Sequence, residues 1–125
     1  MLRDFSVMTM IRCGDVQKQR AFYGEVLGLR EVERLDSGET IFEAGNGTRI
    51  GLYPGERSKA DHTVAAFTVR DIKGVIKALK GRGVVFEDYD TPNFKTVDHV
   101  ATDGKSKCAW FRDPEGNFLA VSENG

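Results

Sequence analysis

The chain has 125 residues, 40% of them hydrophobic and 30% charged, and its 18 basic residues nearly balance its 19 acidic ones. This composition indicates one folded domain and excludes a disordered chain, and the balanced charge argues against nucleic acid as a partner. We expect neither a membrane-spanning segment nor a signal peptide. Two cysteines, Cys13 and Cys108, form no disulfide framework, so we expect a soluble, cytoplasmic protein.

The first half of the chain predicts one helix among four strands. Asp15 is suited to cap a helix and Gly28 to end it, and apolar residues recur at helical spacing between them. Asn46-Gly47 is typical of a hairpin turn. In chain order we predict a strand at 5–13, a helix at 16–27, and strands at 31–35, 40–44 and 48–53. Residues 5–53 therefore form a βαβββ module.

A polar segment with Pro and Gly, residues 54–61, is a linker by composition, and the same order of elements repeats after it. Asp71 is suited to cap the second helix, and Gly83 to end it. In chain order we predict a strand at 62–69, this helix, and strands at 84–89, 107–112 and 118–122, with a turn at 113–117. Residues 62–122 therefore form a second βαβββ module.

The second module is longer than the first. From the helix cap to the late hairpin glycine there are 32 residues in the first module (Asp15 to Gly47) and 45 in the second (Asp71 to Gly116). We place the extra residues at 91–104. A long segment of this kind is typically functional or mobile, so it is interpreted either as a lid over a pocket or as a mobile polar loop.

Neither module alone buries both its helix and its sheet face. Side by side, two modules can share a curved sheet with the helices outside and a concave face within. We therefore predict an α+β fold in which two tandem βαβββ modules form a curved, open eight-stranded barrel within a single domain, residues 1–125.

Three groups of motifs resemble a known superfamily. They are Asp15 with Phe22-Tyr23 and Leu27-Gly28-Leu29; Phe67-Thr68-Val69 and Asp71 with Arg82-Gly83-Val84; and Trp110-Phe111 with Asp113-Pro114 and Gly116-Asn117. Together they resemble the vicinal-oxygen-chelate superfamily of glyoxalase I, bleomycin- and fosfomycin-resistance proteins and extradiol dioxygenases. The resemblance implies the glyoxalase-like fold and a homodimer, but this superfamily hosts many chemistries.

Members of this superfamily hold a metal ion on the concave face. The resemblance places the four ligand positions at Met8, Val64, Ala120 and near Gly51. A hard divalent cation needs carboxylate, imidazole or thiolate ligands, and none of these residues supplies one. We therefore expect no metal and no other cofactor.

Alternation along the strands assigns further residues to the concave face, and two residues of the extra segment join them. The set is apolar and aromatic, which is typical of a pocket for a planar or aromatic small molecule. The alternative is that the same side chains fill the concave face as core. The candidate ligand-binding residues are Met8, Met10, Tyr53, His62, Phe94, His99, Cys108, Trp110 and Phe118.

His62 and Cys108 are also the candidate catalytic residues. A histidine at a pocket rim suits general acid–base chemistry, and a cysteine becomes a nucleophile if a neighbour lowers its pKa. The alternatives are a solvated histidine and an inert thiol in the lining. Cys13 should face the helix as a buried structural thiol.

Four functions are compatible with these observations. We favour metal-independent binding of a small molecule, as in the bleomycin-resistance branch. The alternatives are a metal-free lyase or isomerase that uses His62 and Cys108, a metal-dependent enzyme of the glyoxalase or dioxygenase type, and a non-catalytic interaction scaffold. Whether the protein is an enzyme therefore stays open at this stage.

Overall fold

The computed structural model describes residues 1–124 and divides the chain into two compact units, Met1–Lys59 and the residues from Ala60 onward. Each unit holds one four-stranded sheet, and the second unit carries an additional two-stranded hairpin. The α+β class and the tandem modules predicted from the sequence are confirmed. In the described part of the chain, no helix is long and apolar enough to cross a membrane.

The first unit follows the predicted order of elements. In chain order it has β1 (Met8–Cys13), α1 (Val16–Ala21) with a π-helical turn (Phe22–Val26), β2 (Arg30–Arg34), β3 (Thr40–Glu43) and β4 (Arg49–Pro54). The strand order is β1-β4-β3-β2, with β1 parallel to β4 and the other pairs antiparallel. Short 3-10 turns occupy Leu2–Asp4 and Gly45–Gly47.

Local chemistry sets the ends of these elements. The carboxylate of Asp15 accepts a hydrogen bond of 3.1 Å from the backbone N–H of Lys18, as expected of a helix cap. Asn46 and Gly47 have φ values of 57° and 74°, which is the geometry that a tight hairpin turn requires. The predicted helix does not stay α-helical to its end, because a π-helical turn buries Tyr23 completely and sets Gly24 against the Phe42 ring.

The core of the first unit lies on the helix side of its sheet. Ile11 is 3% exposed and Cys13 is fully buried, whereas Met10, which precedes Ile11, is 45% exposed and Arg12 between them is exposed. This alternation confirms that Cys13 is a buried structural thiol, and its Sγ contacts the carbonyl oxygen of Ile11 at 3.5 Å. Tyr23, Phe42 and Leu52 complete the buried side.

The second unit repeats this sheet. In chain order it has β5 (Thr63–Thr68), α2 (Ile72–Gly81), β6 (Asp90–Thr91), β7 (Phe94–Lys95), β8 (Ala101–Asp103), β9 (Ser106–Arg112) and β10 (Phe118–Glu123). The strand order is β5-β10-β9-β8, and β5 runs parallel to β10 as β1 does to β4. The two sheets are therefore built in the same way.

The predicted strand at residues 84–89 is wrong. Phe86 forms an isolated bridge with Phe111, and the N–H of Glu87 donates to the carbonyl of Trp110 at 2.8 Å, but these residues form no strand in the described chain. The strand that pairs with residues 106–108 of β9 is β8, which lies in the extra segment 91–104, whereas Phe86 and Glu87 lie farther along β9, beside Phe111 and Trp110. β8 and β9 are joined by a tight turn, so their pairing is local. In the described chain, residues 84–89 contact β9 through one bridge and one backbone hydrogen bond, which is too short a pairing for a strand.

The turn between β9 and β10 is held by one buried carboxylate. Asp113 is 4% exposed, and its Oδ1 accepts from the backbone N–H groups of Glu115 and Asn117 at 2.9 and 3.0 Å. Its Oδ2 accepts from the side-chain amide of Asn117 at 2.8 Å. This network confirms the predicted turn and aligns the two strands that carry Trp110 and Phe118.

Candidate functional site

The second unit contains a small pocket with an aromatic lining, which we call the aromatic pocket. It has a volume of about 160 Å³. Its lining residues are Asp61, His62, Thr63, Tyr89, Phe94, Trp110 and Phe118. Four residues predicted from the sequence, from four separate parts of the module, are thus brought together here.

Three rings contact one another at this pocket. The centroids of Tyr89 and Phe94 are 5.2 Å apart, those of Phe94 and Trp110 5.3 Å, and those of Tyr89 and Trp110 5.8 Å. The rings are tilted or edge-on, with interplanar angles of 60° to 86°, which is the favourable arrangement for aromatic pairs. Trp110 stays partly exposed, so its indole is available to a further ring.

The hairpin of β6 and β7 positions two of these rings. The N–H of Tyr89 donates to the hydroxyl of Thr96 at 2.9 Å, and the N–H of Thr96 donates to the carbonyl of Tyr89 at 2.8 Å. These bonds close the hairpin next to Tyr89 and place Phe94 over Trp110. Burial and the negative charge of Glu87 raise the pKa of Tyr89, so its phenol stays neutral.

The rim of the pocket is polar. The guanidinium of Arg112 lies 4.5 Å from the centre of the Phe118 ring, and its Nε is paired with the carboxylate of Glu87. His62 has a side chain that is 72% exposed, with Nδ1 3.8 Å from the carboxylate of Asp61. An aromatic floor with a few polar groups at its edge is typical of a small-molecule site.

Tyr89 is the aromatic residue of the pocket that the sequence analysis missed. The sequence predicts it as the last residue of a strand at 84–89, and no motif there marks it as part of a site. The sequence feature that could have identified Tyr89 is its position just before the extra segment, which contributes Phe94 to the same pocket. The short side chains of Asp61 and Thr63 were also missed, although they flank His62.

Cys108 shares the face of β9 with Trp110 but lies outside the seven residues that line the aromatic pocket. It pairs across the sheet with Ser122, whereas Trp110 pairs with Ala120. Burial raises the pKa of the Cys108 thiol, and the smaller opposing influence is a hydrogen bond from the backbone of Ala109. The surroundings therefore favour the neutral thiol over the nucleophilic thiolate.

His99 lines a different cavity, between α2 and residues 97–102. Its Nδ1 is 2.8 Å from Asp88 Oδ1, and its Nε2 is 3.1 Å from Lys80 Nζ. Phe94 and His99, the two candidates from the extra segment, thus line separate cavities of the second unit.

The candidates in the first unit share one face of its sheet. Met10 pairs with Gly51 and Arg12 with Tyr53, so alternation places Met8 and Tyr53 on that face too. A Cβ at Gly51 would lie 2.8 Å from the sulfur of Met10, which shows that the Met10 side chain covers this glycine. Their part in ligand binding stays a prediction.

A family model of the Glyoxalase/Bleomycin resistance protein/Dioxygenase superfamily matches residues 6–121, nearly the whole chain. The protein belongs to this superfamily. The vicinal-oxygen-chelate resemblance drawn from the motifs is thereby confirmed. A search of curated protein sequences finds no match.

Solved structures of this superfamily share the fold. A glyoxalase family protein from Bacillus anthracis is 22% identical with a TM-score of 0.72, each chain covered to 97%. Lactoylglutathione lyase from Agrobacterium tumefaciens is 24% identical (TM-score 0.67), with 94% of this chain and 92% of that one covered. A fosfomycin resistance protein from Listeria monocytogenes is 16% identical (TM-score 0.73), with 97% and 93% covered.

The residues at the positions that the resemblance assigns to the superfamily's metal ligands do not fit a metal ion. The ligand positions in the first unit hold the thioether of Met8 and the hydrogen of Gly51, and those in the second hold the hydrocarbon side chains of Val64 and Ala120. Hard divalent cations take oxygen, imidazole or thiolate donors, which all four residues lack. Within residues 1–124, no three His, Cys, Asp or Glu side chains are grouped to replace them.

Proposed function

We propose that the protein binds a small aromatic molecule in the aromatic pocket and needs no metal to do so. The observation that carries this proposal is the cluster of Tyr89, Phe94 and Trp110 around a cavity of about 160 Å³. A cavity of about 150 Å³ suffices for benzene in another protein, so one ring of the ligand fits here. Planar rings also gain about 0.5 to 1.5 kcal/mol from each well-placed aromatic partner.

The polar rim gives the ligand its orientation. Asp61, His62 and Thr63 lie together at the mouth, where they can accept or donate hydrogen bonds to a hydroxyl or amide on the ring. We therefore expect a planar ring with a polar substituent. The lyase or isomerase alternative needs an activated Cys108, and the raised pKa of that thiol argues against it.

Phenol and cyclohexanol provide a matched test, because they differ in the planarity of the ring and share one hydroxyl. Trp110 is the chain's single tryptophan and His62 one of two histidines, so their ring signals are readily assigned by NMR. We expect phenol to shift both signals saturably and cyclohexanol to shift them far less. A Trp110 signal that does not respond to phenol would contradict the proposal.

A pair of variants separates phenol binding in the aromatic pocket from nonspecific binding elsewhere on the protein. Phe94→Ala removes one ring of the cluster, and we expect phenol affinity to fall about three- to tenfold. Phe5→Ala is the control, since Phe5 is an exposed ring of the first unit, 63% accessible. Equal losses in both variants would show that binding is not at the aromatic pocket.

The proposal includes a cytoplasmic homodimer. Cys13 and Cys108 are both free thiols, as expected in a reducing compartment. Light scattering on the purified protein tests the oligomeric state, and a mass of one chain would contradict the homodimer.

A further inference from the structure

The second unit has a larger cavity, which lies between α2 and residues 97–102 and which we call the lysine groove. Its volume is about 670 Å³. Its apolar floor includes Ile72 and Ile76 from the buried side of α2. It is a different cavity from the aromatic pocket, with none of its lining residues in common.

Positive charge is concentrated along the groove. Lys73, Lys77 and Lys80 follow one another at intervals of four and three residues and so form one stripe on α2. Lys107 of β9 adds a fourth ammonium group, and Asp98 is the one acidic residue in the lining. The whole chain has a net charge of -1, so this local excess of cations departs from its average.

The two lysines in the first turns of α2 are free to bind a ligand. Within the described part of the chain, Lys73 and Lys77 make no ion pair, and both are exposed. The ammonium group of Lys107 also pairs with the carboxylate of Glu123, with Nζ 3.9 Å from Oε2. Uncompensated ammonium groups beside an apolar floor form a surface complementary to an organic anion.

His99 holds the end of the groove in place. Asp98 and His99 have φ values of 51° and 73°, which is costly for residues other than glycine, in a turn closed by the bridge between Val97 and Val100. An ammonium group only donates, so His99 Nε2 accepts from Lys80 and the ring proton on Nδ1 is donated to Asp88. These two hydrogen bonds orient the ammonium group of Lys80 toward the groove.

We propose that the lysine groove binds a small organic anion with one phosphate or carboxylate group. The lysine ammonium groups hold the anionic group, and the apolar part of the ligand lies against Val97, an exposed apolar side chain of the lining, and Val100. A bare inorganic ion would leave most of the volume and the whole apolar floor unused. The balanced charge of the chain argues against a polyanion such as nucleic acid.

The probe for this proposal is cyclohexyl phosphate. Its ring is neither planar nor aromatic and therefore does not suit the aromatic pocket. The chain has two histidines, and one of them lies in each cavity. We expect cyclohexyl phosphate, at constant pH, to shift the ring signals of His99 saturably and to leave His62 unchanged. Cyclohexanol and inorganic phosphate each lack one half of the ligand and should bind far more weakly.

These readouts separate the groove from the aromatic pocket. Failure of phenol to shift His62 overturns only the proposed function, whereas failure of cyclohexyl phosphate to shift His99 overturns only this inference. Binding of inorganic phosphate as tight as that of cyclohexyl phosphate would also overturn it. Co-sedimentation with phosphatidic acid vesicles, without any response to cyclohexyl phosphate, would assign the groove to a lipid headgroup instead.

Charge-neutralising variants locate the anion. The double variant Lys73→Gln, Lys77→Gln should weaken cyclohexyl phosphate binding about tenfold, because it removes two ammonium partners. Lys105→Gln, at an exposed lysine outside the groove lining, makes the same kind of charge change and should leave the affinity unchanged. Equal affinities of the double variant and the wild type would overturn the proposal, provided that circular dichroism shows both to be folded.

Discussion

Cys108 is a residue whose surroundings determine its chemistry. Burial raises the pKa of its thiol, so less thiolate is present at neutral pH than in an exposed cysteine. We expect native protein to react with iodoacetamide more slowly than glutathione does, and the rate to rise as the pH passes above the ordinary thiol pKa. Cys13 is fully buried and should not contribute while the protein is folded. Reaction faster than that of glutathione at neutral pH would restore Cys108 as a candidate nucleophile.

Asp113 is the residue on which the turn between β9 and β10 depends. Asp113→Ala leaves two backbone N–H groups and the Asn117 amide without their buried acceptor, and we expect a loss of about 3 kcal/mol in the free energy of unfolding. Urea denaturation measures it. Asp36→Ala, at an exposed turn residue, is the control and should change stability by less than about 0.5 kcal/mol. Similar losses in both variants would show that the buried network contributes little.

At the level of elements, α2 allows two glycines to be compared within one helix. A Cβ at Gly81 meets no atom within 4 Å, whereas a Cβ at Gly74 would clash with the carboxylate of Asp71, which caps the helix. Gly81→Ala should therefore stabilise the protein by about 0.5 kcal/mol through helix propensity. Gly74→Ala should gain nothing, since losing the cap costs about 1 kcal/mol.

A double-mutant cycle tests this explanation of α2. In an Asp71→Ala background the cap is already absent, so Gly74→Ala should then stabilise the protein by about 1 kcal/mol. Thermal unfolding of the four proteins gives the coupling between the two positions. Additive effects would show that the Asp71 carboxylate does not oppose a side chain at Gly74.

For the molecule as a whole, the ligand positions of the superfamily predict indifference to metals. Met8, Gly51, Val64 and Ala120 provide no donor for a hard cation. We expect EDTA, Mn²⁺, Zn²⁺ and Ni²⁺ to leave the thermal midpoint of the untagged protein and its phenol affinity unchanged. A metal ion that binds a specific site at a concentration about a hundredfold above its Kd would add about 2.7 kcal/mol to the free energy of unfolding, which a thermal unfolding scan detects readily. Stabilisation by one of these metals that EDTA reverses would contradict this expectation.

Much of the fold could be predicted because it depends on interactions between residues that are close in the sequence. Asp15 and Asp71 cap their helices, and Asn46-Gly47 adopts the positive φ angles of a hairpin turn. Alternation assigned faces to β1 and β9, because successive side chains of a strand point to opposite sides. The repeat of these signals after residues 54–61 determined the fold class and, with the motifs, the superfamily.

The rest depended on contacts between segments that are distant in the sequence. Residues 86–87 and β8 lie beside different parts of β9, and the local pattern could not show which residues of β9 each would meet. Such contacts place Tyr89 and Phe94 against Trp110 and His99 beside Lys80. The sequence alone thus determined the modules and their caps and turns. Only the tertiary structure decided which side chains share a cavity, because that depends on contacts between segments that are far apart in the sequence.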